Sequence, residues 1–144
     1  MHRPTHSPPQ RGLVLFAHGA RAASWAAPFE RLRDATQAQA PDAQVTLAFL
    51  ELMTPNLPDT VAAMVARGIA HVTVVPVFLG QGGHLLRDLP ALCDAIRAAH
   101  PGLTLDVVGA IGEDPGVQRA MTDYCVAALG LSDSGACDAG VAPA

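Results

Sequence analysis

The sequence contains no lysine at all. That removes the phosphate-gripping lysine of nucleotide-binding P-loops. Aromatic residues make up only 4% of the chain, and the formal net charge is -4. With few rings to stack on bases and no basic footprint, nucleic acid is excluded as a partner. Cysteine is scarce as well. Cys93, Cys125 and Cys137 are widely spaced, and no pair has zinc-ribbon or redox-motif spacing. Cys93 and Cys125 read as small core residues. No apolar run is long enough to span a bilayer, and the polar, proline-rich residues 1–10 hold no signal-peptide core. A cytoplasmic protein with no membrane partner is expected.

What is present is apolar and regularly spaced. Half of the 144 residues are hydrophobic, enough for one globular domain with a real core. That domain is expected over 12–129, between disordered segments at 1–11 and 130–144. Short apolar runs at 12–17, 45–50, 71–79 and 103–109 read as strands. Pro76 inside the third predicts that pairing weakens there. Between the runs lie helical patterns. Trp25, Phe29 and Leu32 follow Ser24 as N-cap, with Pro28 in the first turn. Leu57, Val61, Met64 and Val65 follow Asn56 as cap and end at Gly68. Leu89, Leu92, Cys93 and Ile96 begin near Asp88, with Pro90 in the first turn. Asp114-Pro115 opens the last helix, continued by Val117, Met121 and Cys125. The alternation predicts an α/β fold: a parallel four-stranded sheet with helices on both faces, in flavodoxin-like order. Four strands are few for that architecture, so a partner subunit is expected to cover one edge.

In a parallel sheet the loops after successive strands share one edge, where such folds keep their ligands. His18 follows the first strand, Glu51 the second, and His84 lies after the third. Two imidazoles and a carboxylate suit Co2+, Fe2+ or Ni2+, and a neutral imidazole can equally move a proton. Arg21 and Arg87 flank the same edge and can pair with substrate carboxylates. Gly82 and Gly83 leave room for a flat ligand against the backbone. Gly80-Gln81-Gly82-Gly83 lacks the Gly-x-Gly-x-x-Gly order of dinucleotide-binding loops.

Taken together, several stretches are similar to the small sirohydrochlorin chelatases of the CbiX type. They are Leu15-x-x-His18-Gly19-x-Arg21, then Ala48 to Leu52 with Pro55, then Val75 to Leu79, then Gly82-Gly83-His84 with Arg87-Asp88-Leu89-Pro90. The resemblance runs from about Gly12 to Leu129. It implies a class II chelatase half-domain that inserts Co2+ or Fe2+ into sirohydrochlorin, with no ATP and no organic cofactor. It also implies a homodimer, in cobalamin or sirohaem biosynthesis. On that pattern His18 and His84 match the metal-binding and proton-accepting histidines, and Glu51 the acidic residue that joins them. Ala20 stands where the family usually has serine, which removes a hydroxyl beside His18. The competing class is a non-catalytic tetrapyrrole or metal carrier using the same edge.

Overall fold

The computed structural model describes residues 9–80 and 82–130; the side chains of His84 and Leu86 fall outside that description. The predicted terminal segments therefore lie largely outside the described residues, although Arg11 already belongs to the first strand.

The chain alternates β1 (Arg11–Ala17), α1 (Ala27–Gln39), β2 (Ala43–Phe49), α2 (Leu57–Ala66), β3 (His71–Pro76), α3 (Gly83–Ala99), β4 (Thr104–Val107) and α4 (Pro115–Ala128). All strand pairs are parallel, in the order β2-β1-β3-β4. β1 therefore lies between β2 and β3, with Ala17 opposite Phe49 and Phe16 opposite Pro76. The expected architecture is the observed one.

Alternation along the strands divides the core into two layers. Val14, Phe16, Ala48, Val72, Val74 and Leu105 face α2 and α3, meeting Leu57, Val61, Met64, Leu89, Cys93 and Ile96. Leu15, Ala17, Val45, Leu47 and Phe49 face the other way, toward Ala26, Phe29 and Leu32. Asn56 caps α2 as its sequence suggests, its side chain accepting from the Asp59 N–H at 2.8 Å. Gly68 then takes the left-handed conformation, φ +88°.

Four local expectations are corrected. Ser24 does not cap α1; it lies in a 3-10 turn, Ala23–Ala26, and α1 starts at Ala27 without a side-chain cap. α3 begins at Gly83 rather than near Asp88, because extended Gly82 serves as its N-cap and its carbonyl accepts from the Leu85 N–H at 3.1 Å. Pro90 is thus inside α3, on its exposed side, where a carbonyl left without its helical donor is open to solvent. The last error concerns Cys125. It is exposed, because α4 buries none of its residues and packs mainly on the 3-10 turn Ile111–Glu113. Cys93, the other cysteine among the described residues, is buried. Burial pushes its pKa up from 9.0, against a smaller lowering by Arg97. The fold favours the neutral thiol. Its contribution is therefore complete below the ordinary thiol range and is lost as pH rises through the elevated pKa. An alkylating reagent at neutral pH should modify Cys125 within minutes and Cys93 only on unfolding; equal labelling rates in the native protein would contradict this packing.

Candidate functional site

The carboxyl ends of β1, β2 and β3 are aligned by backbone hydrogen bonds that continue past the strands. The Leu50 N–H donates to the Ala17 carbonyl at 2.8 Å, the Glu51 N–H to the His18 carbonyl at 3.0 Å, and the Val77 N–H to the Phe16 carbonyl at 2.7 Å. His18 and Glu51 are thereby held side by side along the chain direction. Gly19 makes the close approach possible. Its φ is +93°, and a Cβ there would collide with the Glu51 carbonyl oxygen.

The Glu51 loop is tightly wound. The Met53 N–H donates back to the Glu51 carbonyl at 2.7 Å, and Leu52 between them has φ 63°. Leucine in that region is strained, and strain of this kind collects at functional sites. The turn also leaves Leu52 60% exposed.

His18 is exposed, but its ring is not free to wander. It lies 4.3 Å, centroid to centroid, from the ring of Phe78. Phe78 in turn meets Phe16 edge-on at 6.1 Å and 83°. An aromatic column thus rises from the core to the imidazole. The Phe78 carbonyl accepts from the Gly112 N–H at 2.9 Å, and Gly112 sits so close to the Leu79 backbone that no side chain fits there. That contact anchors the segment leading to α3. Leu79 projects outward, 74% exposed.

The remaining predicted residues border the same edge. Gly82 caps α3, Gly83 is its first residue and His84 the next, so the backbone of His84 is in the first helical turn. The His84 side chain is outside the described residues, and so is Gln81. Around Gly82 and Gly83 the chain leaves open space. Arg21 and Arg87 are exposed. Among the described residues, no three His, Cys, Asp or Glu side chains are grouped closely enough to hold a metal ion. The sequence-predicted residues share an edge, and the described side chains among them do not form a closed metal cage in one copy.

Three apolar residues at this edge escaped the sequence reading: Leu52, Phe78 and Leu79. Phe78 and Leu79 resembled the end of a buried strand, and only the end of β3 at Pro76 shows that they belong to the loop at this edge. In the segment after β1, a hollow of about 410 Å³ is lined by Ala20, Ala22, Ser24, Trp25, Pro28 and Phe29. The whole is an open shelf with an aromatic-backed imidazole, a carboxylate and a free helix N-terminus. The helix N–H groups attract anions. The imidazole can bind a transition metal or accept a proton. The exposed leucines offer a surface for a flat apolar ring.

The CbiX family model matches residues 12–127. The chain belongs to the CbiX family. Its fold superimposes on that of a chain from Marinobacter aquaeolei VT8 bearing the name of a cobalamin (vitamin B12) biosynthesis CbiX protein. The TM-score is 0.75 and identity 34%, over 85% of this chain and 99% of that one. A sirohydrochlorin cobaltochelatase from Methanothermobacter thermautotrophicus is 29% identical over 82 residues, 57% of each chain. The matched region thus spans less than two thirds of that curated relative. The Bacillus subtilis subspecies spizizenii sirohydrochlorin chelatase SirB, solved with cobalt, shares the fold at 22% identity and TM-score 0.72. The match covers 82% of this CbiX chain and 50% of SirB.

Proposed function

We propose that this CbiX protein inserts a divalent metal ion, Co2+ or Fe2+, into sirohydrochlorin without ATP or an organic cofactor. The observation that carries the reading is the convergence of three strand ends: His18, the Glu51 loop and the N-terminus of α3 bearing His84 occupy one sheet edge. The name of the Methanothermobacter relative supports the same substrate. We place the reaction in the cytoplasm. Among the described residues no helix is long and apolar enough to cross a membrane, and Cys93 and Cys125 are free thiols.

Insertion has two requirements. Two pyrrole N–H protons must leave the macrocycle, and the incoming metal ion must lose water. Imidazole suits both tasks near neutral pH. In this reading His18, steadied on Phe78, presents its ring to one face of the macrocycle, and His84 acts beside it. One of the pair carries the metal and the other takes protons. Glu51 neutralises part of the metal charge or relays a proton outward. Leu52 and Leu79 lie against the apolar ring system, while Arg21, Arg87 and the first N–H groups of α3 receive the peripheral carboxylates. A single copy supplies only one open wall. The reading therefore includes a homodimer, in which a second copy closes the shelf; SirB, of which this chain covers half, has the length for two such units.

The test is multiple-turnover metallation of sirohydrochlorin, followed optically, with Co2+, Fe2+ and Ni2+ side by side. Catalysis beyond one equivalent per chain is expected. Binding that stops at one equivalent would make the protein a carrier. Glu51→Gln should reduce metal turnover by roughly tenfold or more and leave affinity for the free macrocycle nearly unchanged. Parallel loss of both would assign Glu51 to the architecture of its loop instead.

A further inference from the structure

We propose that Trp25 seats one carboxylate-bearing pyrrole ring of the macrocycle, in the hollow between the His18 loop and the start of α1, with Arg21 at its rim. This rests on the function proposed above and adds a recognition residue to it.

The first observation is a tryptophan turned away from the core. Trp25, Phe29 and Leu32 have helical spacing in sequence, but only Phe29 and Leu32 pack against the core layer on the α1 side. Trp25 belongs to the 3-10 turn Ala23–Ala26, where its N–H donates to the Ala22 carbonyl at 3.0 Å. A 3-10 turn takes about 3.0 residues rather than 3.6, so its side chains fall out of phase with the helix that follows. Ala26 is the residue this turn buries, and Trp25, the sole tryptophan of the chain, is left 43% exposed. The indole is still held in place. It lies 5.6 Å from the Phe29 ring, centroid to centroid, with 48° between the planes. An aromatic ring already fixed by a neighbour loses little freedom when a flat ligand lies on it.

The second observation is what surrounds the ring. The hollow of about 410 Å³ is floored by the methyls of Ala20 and Ala22, by Pro28 and by the two aromatic rings; its one polar side chain is Ser24, and no carboxylate lines it. That volume is on the scale of small-molecule sites. Arg21, between the two alanines, is exposed and forms no ion pair among the described residues. An apolar floor with a guanidinium at its rim suits a flat ring edged with carboxylates and disfavours a cationic ligand.

The third observation is position. Ala20 stands two residues after His18, so their Cα atoms are at most about 7.6 Å apart. The His18 ring rests on Phe78, which belongs to the core layer facing α2 and α3. Ala26 and Phe29 join the opposite layer, with Ala17 and Phe49. Phe78 and the Trp25 turn thus flank the end of β1, one on each side. A macrocycle centred over the imidazole reaches the hollow with a peripheral ring and not with its pyrrole nitrogens. Trp25 therefore governs affinity and orientation, while proton and metal transfer stay with the histidines.

The test is steady-state Co2+ insertion by the full chain at varied sirohydrochlorin. Trp25→Ala should raise KM about tenfold and leave kcat within about twofold, the pattern of binding lost equally in ground and transition states. Trp25→Phe keeps a flat ring and should hold KM within about threefold of wild type. Arg21→Ala should raise KM by itself. The double variant should lose less than the product of the two single losses, because a ring freed from the indole no longer presents its carboxylate to Arg21. An unchanged KM in Trp25→Ala would overturn the seat. So would a fall in kcat at constant KM, which would make Trp25 a prop for the His18 loop. Strictly multiplicative losses would put Arg21 and Trp25 on different parts of the macrocycle and overturn the shared ring. Absorbance titration with sirohydrochlorin alone separates this inference from the function. Binding weakened about tenfold by Trp25→Ala, in a protein whose wild type never inserts metal, removes the function and leaves the seat. Insertion by the wild type and by an indifferent Trp25→Ala does the reverse.

Discussion

Replacing His18 by alanine should lower the turnover of metal insertion by about 100-fold or more, the low end of what a positioned acid–base or ligand group contributes. The fold should survive. His18 is exposed, and its ring contact is with Phe78, whose own packing on Phe16 remains. Exposed substitutions of this kind change stability by roughly half a kcal/mol or less. The two readouts therefore separate: activity collapses while the unfolding midpoint hardly moves. His84→Ala should behave alike, since His84 opens α3 at the same edge. Near-wild-type insertion by both variants would remove the histidines from the chemistry and leave the edge as a binding shelf only.

Gly19→Ala should be strongly damaging. Alanine is strained at φ +93°, and its Cβ falls on the carbonyl oxygen of Glu51. Backbone strain alone costs about 1–3 kcal/mol, and relief of the collision must push the Glu51 loop away from His18. A loss of roughly 2–4 kcal/mol in urea unfolding is expected, together with loss of insertion even under conditions where the variant is fully folded. Gly102→Ala is the internal control. Nothing lies within 4 Å of a Cβ there, and its φ is outside the left-handed region. It should be close to neutral. If the two variants unfold at the same urea concentration, the contact between the first two strand loops is not what holds His18 and Glu51 together.

Much of this was legible in the chain because it depends on neighbours in sequence. Short apolar runs separated by helical spacing specify a parallel sheet, since each strand needs a crossover to return alongside the last. Asn56, Gly68 and Asp114 act within one turn of where they stand, so their capping roles could be read directly. Ser24 failed by the same logic: a local signal was present, but the chain made a 3-10 turn through it. The start of α3 was misplaced because Pro90 looks like a first-turn residue, whereas a proline on the exposed side of a helix is tolerated where the carbonyl left without its donor is open to solvent.

By itself, the order of residues determined the fold class, the strand edge and the residue types at it. Those follow from hydrophobic periodicity and loop position, which are one-dimensional properties. Only the tertiary structure decided that Phe78 carries the His18 ring, that Gly19 is pressed against the Glu51 carbonyl, and that α4 buries none of its residues. Each of these is a contact, or a missing contact, between segments far apart along the chain. The apolar stripe of α4 reads the same whether it packs on its own sheet or not, so Cys125 looked like a core residue until the surface opposite it was seen to be solvent.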